Sequence, residues 1–472
     1  MSRRIGLTFS GIFSSFLVPS IRRYLTGVRS QKNRQIQRDC AHFSCAEHDR
    51  NPAGAVQMSE SLIHRRFEGH VRRQPDAIAI ETETEQLSYA EFGRLADRLA
   101  VQLIGAGVKP DEPVGLCAER SIEAIIATLG ILKAGGACFP IEPTRLDDQI
   151  RILAGGDRPP IILAQLQMMT RLSSSAATVI RLETATLPES ASAPDVPVTG
   201  DNLAYLVPSS DANHATIGVE IVHHSVTRLI GDCDVIQFGP NETLPLLSPL
   251  TSIASLFEIW SALLHGGRLV VGPPAPISPK ELGGFLLQHH VTTLQLPTLV
   301  AQWLIEERID DLAELRHLIV TGDALATNHL AAVRKRYPKL QLLTCYSPGD
   351  AMPLACRHPI TDISPDSLSL PIGRPIDGVF VAVLDDQGQP TVDATPGELC
   401  IGGSGLPRGY HNRPDLTAAR FISHPFEPGI RLFKTGDRVS LHDDGVLEFI
   451  GRTNQQNAIR NAPNDHSAIE AA

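Results

Sequence analysis

The chain has 472 residues, 42% hydrophobic and 20% charged, a globular balance long enough for two or three packed units and unlike that of a disordered protein. A formal charge of −10 argues against a generally basic surface, so no nucleic acid is expected as a partner. The eight cysteines, Cys40, Cys45, Cys117, Cys138, Cys233, Cys345, Cys356 and Cys400, lack the short spacing of a secreted disulfide framework. They read as buried thiols of a reducing compartment, with cytoplasm the default.

In chain order, residues 1–57 come first as a basic extension, in which Met1 to Arg38 carries eight Lys or Arg and no Asp or Glu. Ile5 to Ile21 is mostly apolar, with Phe9, Phe13, Phe16 and Leu17 between Arg3-Arg4 and Arg22-Arg23. It is short for a spanning helix and holds Ser10, Ser14, Ser15 and Pro19. A signal peptide would share the basic start and apolar middle, but no clear small-residue cleavage pattern follows. An amphipathic surface helix is a second reading. The preferred one is a start at Met58, so membrane contact is expected only if the extension is real. Cys40 and Cys45 with His42 and His48 are too irregularly spaced to read as a metal cluster.

From Leu87 the spacing of Leu95, Leu99 and Leu103 predicts a helix with one inner stripe, capped by Ser88 with Glu91 completing a capping box. A strand at Val114 to Cys117 and a helix from Ser121 to Ala134 continue an alternation that favours a parallel sheet covered on both faces. The Ser-rich run at 173–177 and the Ala, Pro and Ser-rich run 189–196 read as loops. Arg268 to Val271 and Leu315 to Val320 read as buried strands of a second α/β unit. After Pro371 the pattern turns to short alternating strands, Val379 to Leu384 and Glu398 to Ile401, separated by Asp-Gln-Gly and Asp-Asp-Gly turns. The expected fold class is therefore α/β: two subdomains with mostly parallel sheets, 58–202 and 203–370, plus a small distorted β-barrel over 371–454. Residues 455–472 read as a truncated tail.

The longest ordered string is Gly397-Glu398-Leu399-Cys400-Ile401-Gly402-Gly403, followed by Arg408-Gly409-Tyr410 and by Arg413-Pro414-Asp415-Leu416-Thr417-Ala418-Ala419-Arg420-Phe421. It resembles the adenylate-forming (AMP-binding) enzymes, specifically the amino-acid adenylation domains of nonribosomal peptide synthetases. The run Lys133 to Pro143 resembles the early part of such a domain, and the likeness extends from Leu62 to about Arg460. What it implies is the large N-terminal core of that fold, with ATP or AMP and Mg²⁺ as cofactors. Twelve residues follow Arg460, whereas an independently packed domain needs about 50. The family's small C-terminal lid, bearer of its catalytic lysine, is thus expected to be absent, and no catalytic residue is assigned.

The same resemblance locates the sites and their departures. Leu203 to Val207 and Gly218-Val219 flank the family's phosphate loop, whose place is taken by Ser209-Ser210-Asp211-Ala212-Asn213-His214-Ala215-Thr216-Ile217. A phosphate loop works through glycine-freed backbone N–H groups, hydroxyls and a lysine. Ser209 and Ser210 keep two hydroxyls, while Asp211 replaces a glycine and Ala215 and Ile217 replace two lysines. Losing two or three charge-assisted donors, about 1.5 to 3 kcal/mol each, predicts phosphate binding weaker by orders of magnitude. In the substrate pocket, Ile253 stands where an aspartate would pair the substrate's α-ammonium, which an apolar side chain cannot satisfy. Two readings stay open there: a switch to a carboxylic acid without that amine, or drift after activity was lost.

Tyr346, within Thr344-Cys345-Tyr346-Ser347-Pro348-Gly349-Asp350, is implied to stack on adenine, and Asp350 to take the place of the glutamate that binds Mg²⁺. Gly349 replaces a threonine hydroxyl. Asp437, in Lys434-Thr435-Gly436-Asp437, is implied to accept both ribose hydroxyls, with Arg452 nearby. Thr321 and Gly322 resemble a strand end lining the cleft, Thr321 on the substrate side and Gly322 on the nucleotide side. Asn454, Asn457 and Ala458 depart from the family's hinge. Together these imply an adenylation-domain-like protein that is non-catalytic or strongly impaired, a carrier protein or peptide-synthetase partner being possible. The alternative is an AMP-forming ligase core activating a carboxylic acid as its acyl-adenylate, with a lid supplied in trans.

Overall fold

Short β-rich runs alternate with apolar helices through the first half, and the helices that follow Ser88 and Ser121 begin where a hydroxyl can hold their first N–H groups. The computed structural model describes residues 61–154, 159–173, 175–183, 193–210, 215–231, 236, 238–273, 277–322, 327–349, 352–361, 371–391, 394–425 and 427–452. All of them belong to one compact unit, Ala55–Ala472. The basic extension 1–57 and the tail 455–472 lie outside the described residues.

The order runs α1 (Ile63–Arg73), β1 (Ile78–Glu81), β2 (Gln86–Ser88), α2 (Tyr89–Gly105), β3 (Pro113–Cys117), α3 (Ile122–Lys133) and β4 (Ala137–Pro140). Next come α4 (Leu146–Leu153), β5 (Ile161–Ala164), α5 (Leu166–Leu172), β6 (Thr178–Arg181), β7 (Leu203–Ser210), β8 (Thr216–Val222) and α6 (His223–Gly231). The expected capping box is formed: Ser88 Oγ accepts from the Glu91 N–H at 3.2 Å while Glu91 accepts from the Ser88 N–H at 3.0 Å. Ser121 likewise caps α3, accepting from the Ala124 N–H at 3.1 Å. Because α3 is apolar on all sides, it is buried along nearly its whole length. Its terminal Lys133 is buried too, held by Glu68 and Asp97, each at 2.6 Å.

The middle contains β9 (Thr243–Leu246), α7 (Ile253–Leu263), β10 (Arg268–Val271), α8 (Pro279–Gln288), β11 (Thr293–Pro297), α9 (Thr298–Arg308), β12 (His317–Thr321), α10 (Thr327–Arg336) and β13 (Gln341–Tyr346). The rest is β14 (Cys356–Pro359), β15 (Arg374–Pro375), β16 (Val379–Leu384), β17 (Gly397–Gly403), β18 (Gly409–Tyr410), α11 (Pro414–Arg420), β19 (Phe421–Ser423), β20 (Arg431–Leu441) and β21 (Leu447–Arg452).

These strands make a seven-stranded sheet in the order β18-β8-β7-β4-β3-β5-β6, a four-stranded one, β2-β1-β10-β9, and a five-stranded one, β11-β12-β13-β14-β15. The expected boundary between residues 202 and 203 is crossed by both of the first two: the β7–β8 hairpin joins the sheet of β3 to β6, and β10 pairs in parallel with β1. Alternation along the sequence shows each unit but not which sheet a strand enters. The fold class holds, mixed α/β with parallel-rich sheets. The β-barrel expectation is refined: β16-β17-β20-β19, with β21 on β20, form a curled antiparallel half-barrel. The Asp-Gln-Gly and Asp-Asp-Gly turns carry Gly388 and Gly445 at φ 74° and 82°, the left-handed region that glycine enters without strain.

The main core packs Phe67, Tyr89, Phe92, Leu99, Ile125 and Trp260. The Trp260 indole N–H donates to the Tyr205 hydroxyl at 2.8 Å, so the buried polar tip is satisfied. Cys117, Cys138, Cys345, Cys356 and Cys400 are buried and outside any disulfide, and burial pushes Cys138 up to about 12. Cys40, Cys45 and Cys233 lie outside the described residues. Among the described residues no helix is long and apolar enough to cross a membrane.

Candidate functional site

Parallel strands β11, β12 and β13 run in register and end at Pro297, Thr321 and Tyr346, the carboxyl edge at which open α/β sheets hold ligands. Thr321 sits at that edge, its carbonyl accepting from Thr298 Oγ1 at 3.3 Å and its own hydroxyl donating to the Leu296 carbonyl at 3.4 Å. Gly322 follows at φ 100°, the left-handed region that favours glycine, and among the described residues a Cβ there would meet only Thr298 Oγ1, 3.9 Å away. Beyond Tyr346 the chain turns sharply. Ser347 Oγ donates to the Met352 carbonyl at 2.7 Å and Gly349 sits at φ 61°, which accounts for glycine in place of a threonine.

Asp437 is the centre of a built corner. It is 5% exposed on β20, directly opposite Arg452 on β21. The Tyr346 hydroxyl donates to its Oδ2 at 2.5 Å and Arg452 Nε donates to its Oδ1 at 3.1 Å. Burial raises the Asp437 pKa, opposed by the Tyr346 hydrogen bond and the Arg452 charge. Burial, with the Asp437 charge behind it, holds the Tyr346 phenol well above its usual range. Each carboxylate oxygen has a second lone pair, so the same aspartate can still accept two hydroxyls. The geometry adds a hydroxyl bond to the expected role of Tyr346 as a stacking ring.

Sequence reasoning missed what holds this corner. Glu398 accepts from the Gly436 N–H at 3.1 Å and pairs with Lys434 Nζ at 2.9 Å. Thr435 Oγ1 donates to the Leu399 carbonyl at 2.8 Å and accepts from the Asp437 N–H at 3.0 Å. The strings Gly397-Glu398-Leu399 and Lys434 to Asp437 were both visible. Their contact across antiparallel β17 and β20 was not, although the reach of a glutamate to a Gly-Asp turn is the signal that could have found it.

The stretch where the resemblance implies a phosphate loop is a different object. In the β7–β8 hairpin, Ser209 lies opposite Ile217 and Ser210 opposite Thr216, so the two serines lie on opposite faces. On the Ser209 face, Ile217 is 6% exposed and packs into the main core that also holds Val207 and Val219. On the other face, Ser210 is exposed and its hydroxyl accepts from Arg145 Nη1 at 3.3 Å. Asp211, Ala212, Asn213 and His214 lie outside the described residues, as do Asp323, Asp350, Asn454, Asn457 and Ala458.

Ile253 opens α7 behind Ser252, whose side chain caps the helix at the Ala254 N–H, 3.3 Å away. The helix is anchored by Glu258, buried and accepting from the Leu247 and Ser248 N–H groups at 3.0 Å each and from Ser248 Oγ at 2.7 Å. Burial outweighs those donors and pushes Glu258 up to about 7. Thus Glu258 fixes the loop that delivers Ile253, which is itself only partly buried.

The AMP-binding enzyme family pattern matches residues 67–411. A linear gramicidin synthase chain of Brevibacillus parabrevis is 36% identical over 402 residues, covering 84% of this chain and 8% of that protein. Tyrocidine synthase 3 of the same organism is 31% identical over 413 residues, covering 87% and 6%. The chain therefore spans less than a tenth of the length of these curated relatives. Among solved structures, the AMPPNP-bound nonribosomal peptide synthetase FmoA3 superposes with TM-score 0.79 at 29% identity, over 90% of this chain and 45% of that one. A nonribosomal peptide synthetase protein containing adenylation and PCP domains, bound to a vinylsulfonamide inhibitor, superposes with TM-score 0.74 at 27% identity, over 83% and 68%. With the fold, the match over residues 67–411 and these relatives in agreement, the chain belongs to the AMP-binding enzyme family, as a homologue of nonribosomal peptide synthetase adenylation domains.

Proposed function

We propose that this protein is a nucleotide-binding adenylation homologue whose adenylate-forming chemistry is lost or strongly impaired. The observation that carries the reading is the asymmetry of the site. Asp437 is buried, oriented by Tyr346 and Arg452 and supported from behind by Glu398 and Thr435, a geometry suited to a ribose diol. Where the resemblance implies a lysine, Ile217 is packed in the hydrophobic core. Where it implies an aspartate for an α-ammonium, Ile253 offers no acceptor. Family members bind ATP with Mg²⁺; here Tyr346, Asp437 and Arg452 would hold the nucleoside, and the metal would neutralise phosphate charge.

Ile253 favours a second reading, a ligase core that activates a carboxylic acid lacking an α-amine. Its apolar side chain suits such a ligand as well as it excludes an ammonium. A carrier-protein partner is part of both readings, supported by the relative that contains adenylation and PCP domains. A cytoplasmic setting is proposed from the buried thiols outside any disulfide.

The test is titration of the folded protein with AMP, alongside ATP–pyrophosphate exchange over a panel of amino acids and other carboxylic acids. AMP binding that Asp437→Asn removes, with no exchange, is the expected result. Exchange with an acid lacking the amine would select the second reading. Exchange with an ordinary amino acid would sink the first.

A further inference from the structure

The β7–β8 hairpin carries a cation that comes from another segment. Arg145 ends the turn Pro143–Arg145 just before α4 and donates to Ser210 Oγ at 3.3 Å. That turn is firmly placed. The Glu142 N–H donates to Oε1 of Gln149, a side chain only 1% exposed, at 2.7 Å, and Thr144 donates to the Glu142 carboxylate. Leu146, Ile150 and Leu153 of α4 pack against the cluster that contains Leu206. Leu206, Pro208 and Ser210 alternate onto one face of β7, so α4 and the turn before it lie over the Ser210 face of the hairpin.

A second polar group stands on that face. Thr216 is the cross-strand partner of Ser210, and its buried Oγ1 has no hydrogen-bond partner among the described residues. Leaving a buried hydroxyl unpaired costs stability, and such groups in native proteins often mark a place where an ion, water or ligand completes the bonding. The Ser210–Thr216 pair and Arg145 therefore gather a guanidinium and two hydroxyls on one face, while the opposite face is closed by Ile217 in the core. A guanidinium suits phosphate because its planar fork can donate two parallel hydrogen bonds to two oxygens.

We propose that Arg145, Ser210 and Thr216 form a phosphate-binding corner, with one arginine from the 143–145 turn standing in for the lysines absent from positions 215 and 217. This rests on the reading of residues 209–217 as the phosphate-loop position. Its ligand class is an oligophosphate, alone or as the tail of a nucleotide. The corner supplies binding only; it places no group that would replace the assistance to adenylate transfer expected of a lysine.

The experiment titrates the full chain with inorganic tripolyphosphate, Mg-ATP and adenosine, in the wild type and in Arg145→Ala, Arg145→Lys and Arg151→Ala. Arg151 is the control, an exposed arginine of α4 paired with Asp148. The expected result is a loss of about tenfold or more for tripolyphosphate and ATP in Arg145→Ala, partial recovery in Arg145→Lys, and no change for adenosine or in Arg151→Ala. Equal melting temperatures establish that the variants fold. Equal tripolyphosphate and ATP affinities in wild type and Arg145→Ala would overturn the corner, as would a wild type that binds adenosine but neither of those two ligands. Arg145-dependent binding of tripolyphosphate without adenosine binding would support the corner and sink the nucleoside reading instead. Binding of none of the three would overturn both.

Discussion

The Asp437 corner and the β7–β8 hairpin, which the family resemblance assigns to one nucleotide site, are built to different standards. At Asp437 each neighbour has a defined role. Tyr346 and Arg452 address the two carboxylate oxygens, and Glu398 and Thr435 fix the turn beneath. At the hairpin the polar groups are split between faces, Ile217 is committed to the core, and Thr216 Oγ1 is left without a partner among the described residues. A binding group keeps its geometry while packing and hydrogen bonds around it also serve folding. Asp437 ties β20 to β21 and to the end of β13, so losing it would cost the fold as well as the proposed ligand. A lysine at a hairpin tip has no such second role.

The contrast between the two regions is most exposed to Asp437→Ala. Removing two charge-assisted acceptors, about 1.5–3 kcal/mol each, lowers AMP affinity by about a hundredfold or more, read by calorimetry. Unchanged affinity would mean that the corner is only structural. Next is Tyr346→Phe, which keeps the ring and removes the bond to Asp437. It lowers stability by about 1.5–3 kcal/mol in denaturant unfolding while AMP affinity changes much less than in Asp437→Ala.

On the phosphate side, the two lysine replacements should respond differently when reversed. Ala215 is exposed, so Ala215→Lys folds normally and strengthens ATP binding by about tenfold. Ile217→Lys puts an ammonium into the main core and lowers stability by about 3–5 kcal/mol. Equal tolerance of both in thermal melts would contradict the placement of Ile217 in the core.

The weakest signature is with pH. The Asp437 pKa is raised above its ordinary 3.8 by burial, so its protonated form is favoured in the fold. The stability this confers is full below 3.8 and is lost as pH rises through the folded value. AMP binding moves the other way, weakening on acidification already above pH 3.8 as the accepting carboxylate is protonated. Asp437→Asn removes both dependences, which melting curves and titrations from mildly acidic to neutral pH check.

Local signals carried far in this chain. The Ser88 and Ser121 caps, the buried run Arg268–Val271, the alternating strand Val379–Leu384 and the glycine turns all lie where hydrogen-bonding chemistry and hydrophobic period place them. What stayed hidden depends on sequence-distant contact. That Tyr346 bonds to Asp437, 91 residues away, that Ser209 and Ser210 face apart, and that Arg145 reaches Ser210 across 65 residues have no signature in spacing. Motif resemblance picked out Tyr346, Asp437 and Arg452, which the fold brings into contact, because their strings are long. It marked the missing lysines but could not show where Ile217 packs or that a cation arrives from elsewhere.

The decisive measurement is ATP–pyrophosphate exchange over the common amino acids, run on a sample first shown by titration to bind AMP. No exchange with any of them, despite AMP binding, is the expected result. Exchange above background with even one would show that the site still forms adenylates of α-amino acids, and the loss or strong impairment proposed for this protein would be wrong.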